Sequence, residues 1–452
     1  MTSLAEGMRA GLATATLASA RGRWTGADLF EAAERLAAWI VRQAPGPVIS
    51  TVTDAAATAV TALAGDLADR PVMHLDPAVK VTLDGIVVRA HSPARADYGD
   101  DRFGLHATAG LPATRIDGVP ARSQVFFTSG STGRPEGVVR GSDAVLSDAS
   151  LVSARLGLGA GSRVLVSAPV QHVYGFNYGL IAPLRLGGSV YYAGPRVIPS
   201  QLARAAHREG ADTLVGHPAL YQLLAQDATT GATADLGPLD QAISAGAPLP
   251  AGSVLAITSR HRFELHNCYG SSEAGAVTLS AVQGSEPPGD AGLLLDGVDA
   301  STSEGELVLR TPSLAAGYLT PAGLGPLRAD GAWYRTGDLA ELHGGRVRLK
   351  GRVANVINVA GRKVSPEEVE AVLVEHPGVI DAEVYAEPDQ VRGQVPVAAV
   401  TLRADVPVAE VLGWCRARLA PYQVPRRIEV RDQLNRTETG KRIRSVRQAD
   451  RS

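Results

Sequence analysis

Cysteine is scarce in this sequence: the 452 residues include two, Cys268 and Cys415, far apart in the chain. Two distant cysteines fit neither a zinc site nor a disulfide framework, which favours a reducing compartment and predicts a cytoplasmic protein. No uncharged apolar run reaches about 18 residues, so no membrane span is predicted. The formal net charge of −2 gives no general attraction for nucleic acid, and none is expected as a partner.

Lysine is scarce as well. Of the 44 basic residues four are lysines, Lys80, Lys350, Lys363 and Lys441. Because arginine supplies a generic cation almost everywhere else, a retained lysine is a candidate for a chemical role. Retention on the surface by chance remains the alternative, above all for Lys80.

The chain length and the pattern of apolar segments predict the fold class. At 452 residues the chain exceeds one typical hydrophobic core, which predicts at least two domains. Short apolar segments such as 163–168 and 213–215 alternate with helical patterns such as 27–41, 142–157 and 198–209. This alternation predicts an α/β protein.

A loop rich in serine, threonine and glycine follows an apolar segment at 126–140, FFTSGSTGRPEGVVR. Glycines let the backbone approach an anion closely, and hydroxyls and free amides donate hydrogen bonds to it. A polar surface loop is the alternative. A Walker-type loop is excluded because no Gly-Lys-Ser/Thr follows Gly130.

The string Thr-Ser-Gly-Ser-Thr-Gly-x-Pro-x-Gly at 128–137 resembles the phosphate loop of the adenylate-forming superfamily, which includes acyl-CoA synthetases. The resemblance implies a large N-terminal α/β domain, here somewhat shortened at its N-terminus (1–350), and a small mobile α+β C-terminal domain (351–452). The N-terminal end of the 142–157 helix is expected to point at the bound phosphates. ATP contacts are implied for Thr128, Ser129, Gly130, Ser131, Thr132 and Gly133.

Two later stretches resemble the nucleotide-binding segments of the same superfamily, AISAGAPLP at 242–250 and FELHNCYGSSEAG at 263–275. The resemblance implies backbone contacts to adenine at 246–248 and stacking by the ring of Tyr269. It implies an α-phosphate contact for Ser272 and Mg²⁺ binding by Glu273; a carboxylate suits that hard cation. The implied nucleotide contacts are Gly246, Ala247, Pro248, Asn267, Tyr269, Gly270 and Ser271.

The stretch PVQHVYGFNYG at 169–179 is the predicted acyl-binding segment. His172 matches a histidine that borders the scissile carboxylate in the superfamily, which implies a gating or orienting role in the catalytic site rather than that of a base; a packed histidine is the alternative. No acidic residue lies between Pro169 and Gly187, which disfavours an α-amino acid because a buried ammonium needs a partner. The predicted pocket residues are His172, Tyr174, Phe176, His217 and Ala245.

The C-terminal third supplies the remaining matches. In WYRTGDL, Asp338 is implied to bind both ribose hydroxyls, with an Asx turn as the alternative. Arg352 is implied to contact the nucleotide, and Gly361 and Arg362 to meet the thiol donor. The pattern predicts a strand from Val353 and then a helix capped by Ser365. Lys441, in NRTETGKRIR, is implied to be catalytic; a basic surface tail is the alternative.

Two departures from the superfamily pattern concern the phosphate loop and the hinge. Glu136 stands where relatives carry lysine beside the expected triphosphate, and Ala354 stands at the hinge pivot, where relatives carry Asp or Lys. These departures leave two possibilities open: weak handling of pyrophosphate at the active site, and a changed energy of rotation at the hinge between the domains.

The combined prediction is an enzyme, an AMP-forming acid–thiol ligase. It uses ATP and Mg²⁺ to adenylate a small aromatic or mostly apolar carboxylic acid and passes the acyl group to CoA or to the phosphopantetheine of an acyl or peptidyl carrier protein. Two alternatives stay open: transfer of the acyl group to a non-thiol nucleophile, and a non-catalytic nucleotide- or acyl-binding subunit of a biosynthetic complex.

Overall fold

The computed structural model describes residues 2–75, 86–89, 98–103, 105–108, 117–128, 136–230, 234–320, 322–403 and 406–434, with the backbone alone for 86–89 and 228–230. The chain forms two compact units. Unit 1 comprises Met1–Ser285, Gly292–Asp299 and Arg310–Ala332, and unit 2 comprises Glu286–Ala291, Ala300–Leu309 and Trp333–Ser452.

Helices occur throughout both units. They are α1 (Leu4–Leu12), α2 (Gly26–Val41), α3 (Ala55–Leu67), α4 (Ser142–Leu156), α5 (Val173–Phe176), α6 (Ala182–Arg185), α7 (Pro199–Glu209), α8 (Pro218–Thr230), α9 (Ala251–Thr258), α10 (Pro366–Val374) and α11 (Val408–Arg418). A π-helical turn, Asn177–Ile181, joins α5 to α6, and a 3₁₀ turn covers Val353–Asn355.

Seventeen strands of the described residues lie between residues 16 and 303. They are β1 (Thr16–Ser19), β2 (Gly22–Thr25), β3 (Val48–Ser50), β4 (Val72–His74), β5 (Ile86–Arg89), β6 (Tyr98–Asp100), β7 (Leu105–Thr108), β8 (Ser123–Thr128), β9 (Glu136–Gly141), β10 (Arg163–Val166), β11 (Ser189–Tyr192), β12 (Thr213–Gly216), β13 (Gln241–Ala245), β14 (Glu264–Ser271), β15 (Gly275–Ala281), β16 (Asp290–Leu293) and β17 (Asp299–Ser303).

The later strands complete the sheets. They are β18 (Glu306–Arg310), β19 (Gly317–Thr320), β20 (Gly323–Gly325), β21 (Ala329–Asp330), β22 (Trp333–His343), β23 (Arg346–Arg352), β24 (Ile357–Val359), β25 (Arg362–Val364), β26 (Val379–Asp389), β27 (Gly393–Leu402) and β28 (Ile428–Val430).

Unit 1 contains two large mixed sheets. Among the described residues, one has the order β15-β14-β13-β12-β10-β11-β1-β2, and its strands from β14 to β1 run parallel. The other has the order β20-β19-β9-β8-β4-β3-β5-β7-β6 and is parallel only from β8 through β4 and β3 to β5. Parallel strands joined by helices form the α/β layers that the sequence predicts, so the predicted fold class is confirmed.

Unit 2 contains smaller, mostly antiparallel sheets. One has the order β16-β23-β22-β18-β17, and the other the order β25-β24-β27-β26 with β28 beside β27. Helices α10 and α11 cover the second sheet through a core that includes Leu373, Val384, Val400 and Val411. The predicted domain boundary at 350/351 falls within strand β23, which runs from Arg346 to Arg352. This boundary stays a prediction.

Local signals explain where several helices begin. Ser3 and Thr25 form capping boxes with Glu6 and Asp28, and Asp54 accepts hydrogen bonds from the first amides of α3. The predicted cap of α10 is confirmed, because the Ser365 side chain accepts a hydrogen bond from the Glu368 amide.

One expectation about local structure stays a prediction and another is wrong. Helix α4 begins at Ser142, directly after β9, but the loop at 129–135 lies outside the described residues, so the direction of the helix relative to bound phosphates stays a prediction. The predicted strand from Val353 begins only at Ile357, after the 3₁₀ turn. Val353 is 40% exposed. Val353, Val356 and Val359 therefore do not form one buried strand.

Candidate active site

The turn between β14 and β15 holds the side chains predicted to bind phosphate and Mg²⁺. The register of these strands shifts between Tyr269 and Gly270, pairing continues to Ser271 and Gly275, and residues 272–274 form the turn. Ser272 and Glu273 therefore lie next to each other at one end of the eight-stranded sheet, both partly exposed. The turn accommodates no side chain at Gly270, where a Cβ would lie 2.2 Å from the Gly275 carbonyl oxygen.

Two contacts fix the position of Glu273. The Tyr318 hydroxyl donates to Glu273 Oε1 at 3.0 Å, and the Ala315 amide donates to the Glu273 carbonyl oxygen at 2.7 Å. One partly exposed carboxylate held in place suits Mg²⁺, which keeps several waters and is bound by one or two carboxylates together with phosphates. Within the described residues, no group of three or more His, Cys, Asp or Glu side chains could hold a metal ion.

A fully buried polar cluster lies against the same turn. We call it the Asp148 cluster; its members are Asp148 on α4, Arg140 on β9, and Asn177 and Tyr178 in the π-helical turn. The sequence interpretation missed it. A signal for it exists, because Asp148 occurs on the apolar face of α4, with Ala144 and Val152 one turn away on either side.

The predicted adenine segment follows β13. Ala245 ends that strand, and Gly246 has φ +93°, a backbone conformation that favours glycine. Ala247 and Pro248 follow in irregular structure, so their backbone groups are not used in a sheet ladder. Asn267 and Tyr269 lie on the adjacent strand β14 and are partly exposed, as ligand contacts require.

The predicted acyl segment divides into exposed and buried parts. His172 precedes α5 and is exposed, while Tyr174 is partly buried and donates its hydroxyl to the Ile243 carbonyl oxygen at 2.8 Å. Phe176 has no exposed surface, and its ring centroid lies 5.2 Å from that of Phe126 and 5.1 Å from that of His74. The structure thus gives Phe176 a packing role in the core rather than a surface that a ligand could reach.

His217 also has a structural role. It is 4% exposed, its Nε2 donates to the Pro195 carbonyl oxygen at 3.0 Å, and its Nδ1 lies 3.4 Å from the Leu220 amide at the start of α8. The ring therefore links the start of this helix to Pro195, and contact with an acyl group stays a prediction.

Cys268 lies on β14 between the predicted nucleotide contacts Asn267 and Tyr269, and it is buried. Burial raises the pKa of its thiol far above the usual range, so the thiol stays protonated at neutral pH. Because the thiolate is the nucleophilic form of cysteine, this residue is unsuited to forming an acyl-enzyme.

In unit 2, Asp338 and Arg352 are directly opposite each other on β22 and β23. Arg352 Nε lies 2.7 Å from Asp338 Oδ1, so the predicted ribose-binding carboxylate forms an ion pair with the predicted nucleotide-binding cation. The adjacent turn is fixed by the buried side chain of Glu306, whose Oε1 accepts a hydrogen bond from the Gly337 amide at 2.8 Å. The Asp338 amide donates to Thr336 Oγ1 at 3.0 Å.

The predicted thiol-donor residues form a tight hairpin turn between β24 and β25. Ala360 and Gly361 both have positive φ, the combination found in type I′ turns. The guanidinium of Arg362 lies 4.9 Å from the centroid of the Tyr422 ring. A Cβ added at Gly361 would meet nothing within 4 Å, so this turn leaves room for an approaching group.

Several predicted residues fall outside the described part of the chain: Ser129, Gly130, Ser131, Thr132, Gly133 and Lys441. Thr128 ends β8, and its Oγ1 donates to the Glu136 carbonyl oxygen at 3.5 Å. Glu136 itself is exposed at the start of β9.

The described residues contain no helix with the length and apolar character of a membrane span.

Comparison with known families gives two matches in order along the chain. A model of the AMP-binding enzyme family matches residues 52–319, and a model of the AMP-binding enzyme C-terminal domain matches residues 368–441. The chain belongs to the AMP-binding enzyme family. The resemblance inferred from the motifs is therefore confirmed.

Curated relatives of this AMP-binding enzyme include CoA ligases. A methyl-dioxo-octahydroindenyl-propanoyl:CoA ligase of Mycobacterium tuberculosis is 32% identical over 77% of this chain and 71% of its own length. A feruloyl-CoA synthase of Amycolatopsis is 30% identical over 70% of this chain and 67% of its own. A 2-succinylbenzoate–CoA ligase of Bacillus licheniformis is 28% identical over 79% and 76%. The predicted class, an AMP-forming acid–thiol ligase, is confirmed by these relatives.

Solved structures support the fold. MatB of Rhodopseudomonas palustris, with ATP bound, matches with a TM-score of 0.77 at 22% identity, covering 94% of this chain and 93% of its own. The amide bond synthetase McbA of Marinactinospora thermotolerans matches with a TM-score of 0.77 at 23% identity, covering 97% and 98%. At these identities the comparison establishes the adenylate-forming ligase fold.

Proposed function

We propose that this AMP-binding enzyme adenylates a small aromatic or mostly apolar monocarboxylate with MgATP and transfers the acyl group to a thiol. A carboxylate oxygen attacks the α-phosphorus, and the bond to the bridging oxygen of pyrophosphate breaks. The thiol of CoA then attacks the acyl carbonyl, loses its proton and displaces AMP. The phosphopantetheine arm of an acyl or peptidyl carrier protein is the other thiol donor that this scheme accommodates.

One observation supports the acid class most directly. Segment 169–187 has no acidic residue, and Asp148, which contacts this segment through Asn177 and Tyr178, is fully buried and paired with Arg140. No carboxylate of the segment is therefore available to a substrate ammonium, which would be costly to bury without a partner. The hydroxyl of Tyr174 is already bonded to Ile243, so the apolar face of its ring remains for the acyl group.

The names of the relatives support an acid that contains a ring but not the number of carboxylates, because 2-succinylbenzoate has two. The three relatives described above act on feruloyl, 2-succinylbenzoate and octahydroindenyl-propanoyl groups, each of which contains a ring. Relatives named as medium-chain and long-chain fatty-acid–CoA ligases also match, so a ring is not a general requirement of the group. The panel of acids tested should include both classes.

The proposed residue roles are those implied by the motifs, and the contacts of Glu273 and Asp338 support two of them. We propose that Glu273, oriented by Tyr318, binds Mg²⁺, which would neutralise phosphate charge, and that Ser272 contacts the α-phosphate. Tyr269 would stack on adenine, and Asp338 would exchange its bond with Arg352 for the ribose hydroxyls. Lys441 would neutralise the charge of the joining carboxylate and α-phosphate. No general base is needed, because positioning and charge neutralisation lower the barrier.

The first experiment measures pyrophosphate release from ATP with a panel of aryl, alicyclic and alkyl carboxylic acids, with and without CoA. We expect release that depends on one acid class and rises with CoA. Release without a CoA effect, but with hydroxylamine or an amine accelerating it, would favour a non-thiol acceptor. ATP binding without release for any acid would favour the non-catalytic alternative.

Lys441→Ala tests the catalytic assignment. Loss of a charge-neutralising group should cost about 3 kcal/mol, or roughly a hundredfold in the rate of acid-dependent pyrophosphate release. Lys80→Ala, at another of the four lysines, is the matched control and should leave the rate unchanged. An unchanged rate in Lys441→Ala would contradict the assignment.

Glu136→Lys tests the departure in the phosphate loop. If the exposed carboxylate at Glu136 repels the triphosphate, the lysine variant should lower KM for ATP, with a stronger effect at low ionic strength.

The cytoplasmic location predicted from the scarce cysteines stays a prediction.

A further inference from the structure

The Asp148 cluster binds both sides of the turn that carries Ser272 and Glu273. On one side, Arg140 Nη1 donates to the Ser272 carbonyl oxygen at 2.7 Å. On the other, the Ala276 amide donates to Asp148 Oδ1 at 2.9 Å. The turn is therefore attached to a buried charge pair at each end.

Arg140 and Asp148 are held from several directions and are each 0% exposed. Arg140 Nη2 donates to Asp148 Oδ2 at 3.2 Å and to the Ala144 carbonyl oxygen at 3.4 Å. Asp148 also accepts hydrogen bonds from Asn177 Nδ2 at 2.6 Å and from the Tyr178 hydroxyl at 2.8 Å. Charge-assisted bonds of this kind fix the geometry more strictly than neutral ones do.

Packing against this cluster restricts the backbone of the turn. Gly275 has φ +73°, and a Cβ there would lie 2.6 Å from the Asp148 carboxyl group. The turn thus lies directly on the carboxylate, with no side chain between them. A small displacement of Arg140 or Asp148 would move the peptide groups that orient Ser272 and Glu273.

Stability alone does not account for such a cluster. A buried ion pair often contributes no more stability than apolar side chains of similar volume, because both charges lose their hydration. On the apolar face of α4, leucine or methionine would satisfy packing without that cost. Only polar groups, however, can orient the Ser272 carbonyl and the Ala276 amide.

We propose that Arg140 and Asp148 are positioning residues for MgATP, which hold the 271–276 turn so that Ser272 Oγ and the Glu273 carboxylate point at the nucleotide. The inference rests on the proposed function, because it takes Ser272 and Glu273 as the phosphate and Mg²⁺ contacts. It adds residues that touch neither ligand. Their effect passes through the backbone of the turn.

The test uses two conservative variants and a matched control. Arg140→Lys keeps the positive charge but replaces the two-pronged guanidinium by one nitrogen, which cannot reach Ser272 and Asp148 in the same geometry. Asp148→Asn keeps the volume and removes the charge. The control is Asp66→Asn: Asp66 is also a buried carboxylate of unit 1, and it accepts hydrogen bonds from the Leu4 and Ala5 amides and the Ser142 hydroxyl.

Three quantities are measured on each full-length variant: the melting temperature, the Mg²⁺ concentration that gives half-maximal ATP binding, and the amide exchange rate of peptides covering 269–276. In Arg140→Lys and Asp148→Asn we expect the half-saturating Mg²⁺ concentration to rise about tenfold and exchange of the turn to accelerate. Asp66→Asn should lower the melting temperature without changing either of the other two quantities.

Equal Mg²⁺ dependence and equal turn exchange in all three variants would overturn the inference and leave the cluster a purely structural role. If Arg140→Lys and Asp148→Asn do not fold, Tyr178→Phe, which removes one hydroxyl from Asp148, is measured in the same way and decides in the same way. Wild-type protein that binds MgATP but releases no pyrophosphate with any acid would refute the proposed function, while binding and exchange still decide the positioning role. Failure to bind ATP in the presence of Mg²⁺ would refute both.

Discussion

Protonation of His74 should determine part of the acid stability of unit 1. This histidine ends β4, is 2% exposed and stacks on Phe126 with ring centroids 4.9 Å apart. Its Nε2 donates to Gln124 Oε1 at 2.8 Å. Burial lowers the pKa of His74 from 6.5 to about 4.

The sign of the effect follows from proton linkage. Between pH 6.5 and 4 the unfolded chain binds a proton at this position and the folded chain does not, so stability falls as pH falls. With these two pKa values, almost none of the effect has set in at pH 7, and about 2 kcal/mol of folding stability is lost between pH 7 and pH 4.5.

The assay compares wild type and His74→Gln by hydrogen exchange of unit 1 peptides in increasing urea, at pH values from 4.5 to 7.5. Glutamine can still donate to Gln124 but does not titrate, so the variant should lose about 2 kcal/mol less stability than wild type over this range. His343→Gln is the control, because His343 is largely exposed. It should retain the pH dependence of wild type. If His74→Gln has the same pH slope as wild type, burial does not suppress protonation of His74 and the reasoning is wrong.

Two further predictions concern packing and the metal-binding side chain. Gly11→Ala should destabilise unit 1 by several kcal/mol in urea unfolding, because its Cβ would lie 2.0 Å from the Arg185 carbonyl oxygen. Gly413→Ala is the control, because Gly413 is exposed on α11 and an added Cβ would meet nothing within 4 Å. It should be neutral or stabilising by up to about 1 kcal/mol. Comparable losses in both variants would contradict this. Tyr318→Phe, which removes the hydroxyl bonded to Glu273, should raise the half-saturating Mg²⁺ concentration for pyrophosphate release a few-fold, and no change would show that Glu273 needs no such orientation.

Local sequence signals were sufficient for much of the fold. The apolar period predicted a helix at 27–41, where α2 spans Gly26–Val41, and the serine-proline pair predicted the start of α10. These features depend on residues a few positions apart, which a sequence displays directly. The 3₁₀ turn at Val353–Asn355 was missed because closely spaced valines have the composition of a strand, while their exposure depends on the surrounding structure.

The sequence by itself determined the family, the reaction class and the candidate site residues, because the phosphate loop, YGSSE and TGD motifs each concentrate their chemistry in a few adjacent positions. It also showed the absence of an acidic residue from the acyl segment. The tertiary structure decided which side chains support these motifs: Asp148 contacts the Ala276 amide 128 residues away, and Arg140 contacts Ser272 132 residues away. It also showed that Phe176, which was predicted to line the acyl pocket, packs in the core. Long-range hydrogen bonds arise only when distant elements pack, so the apolar face of α4 could mark Asp148 as buried but could not name its partners.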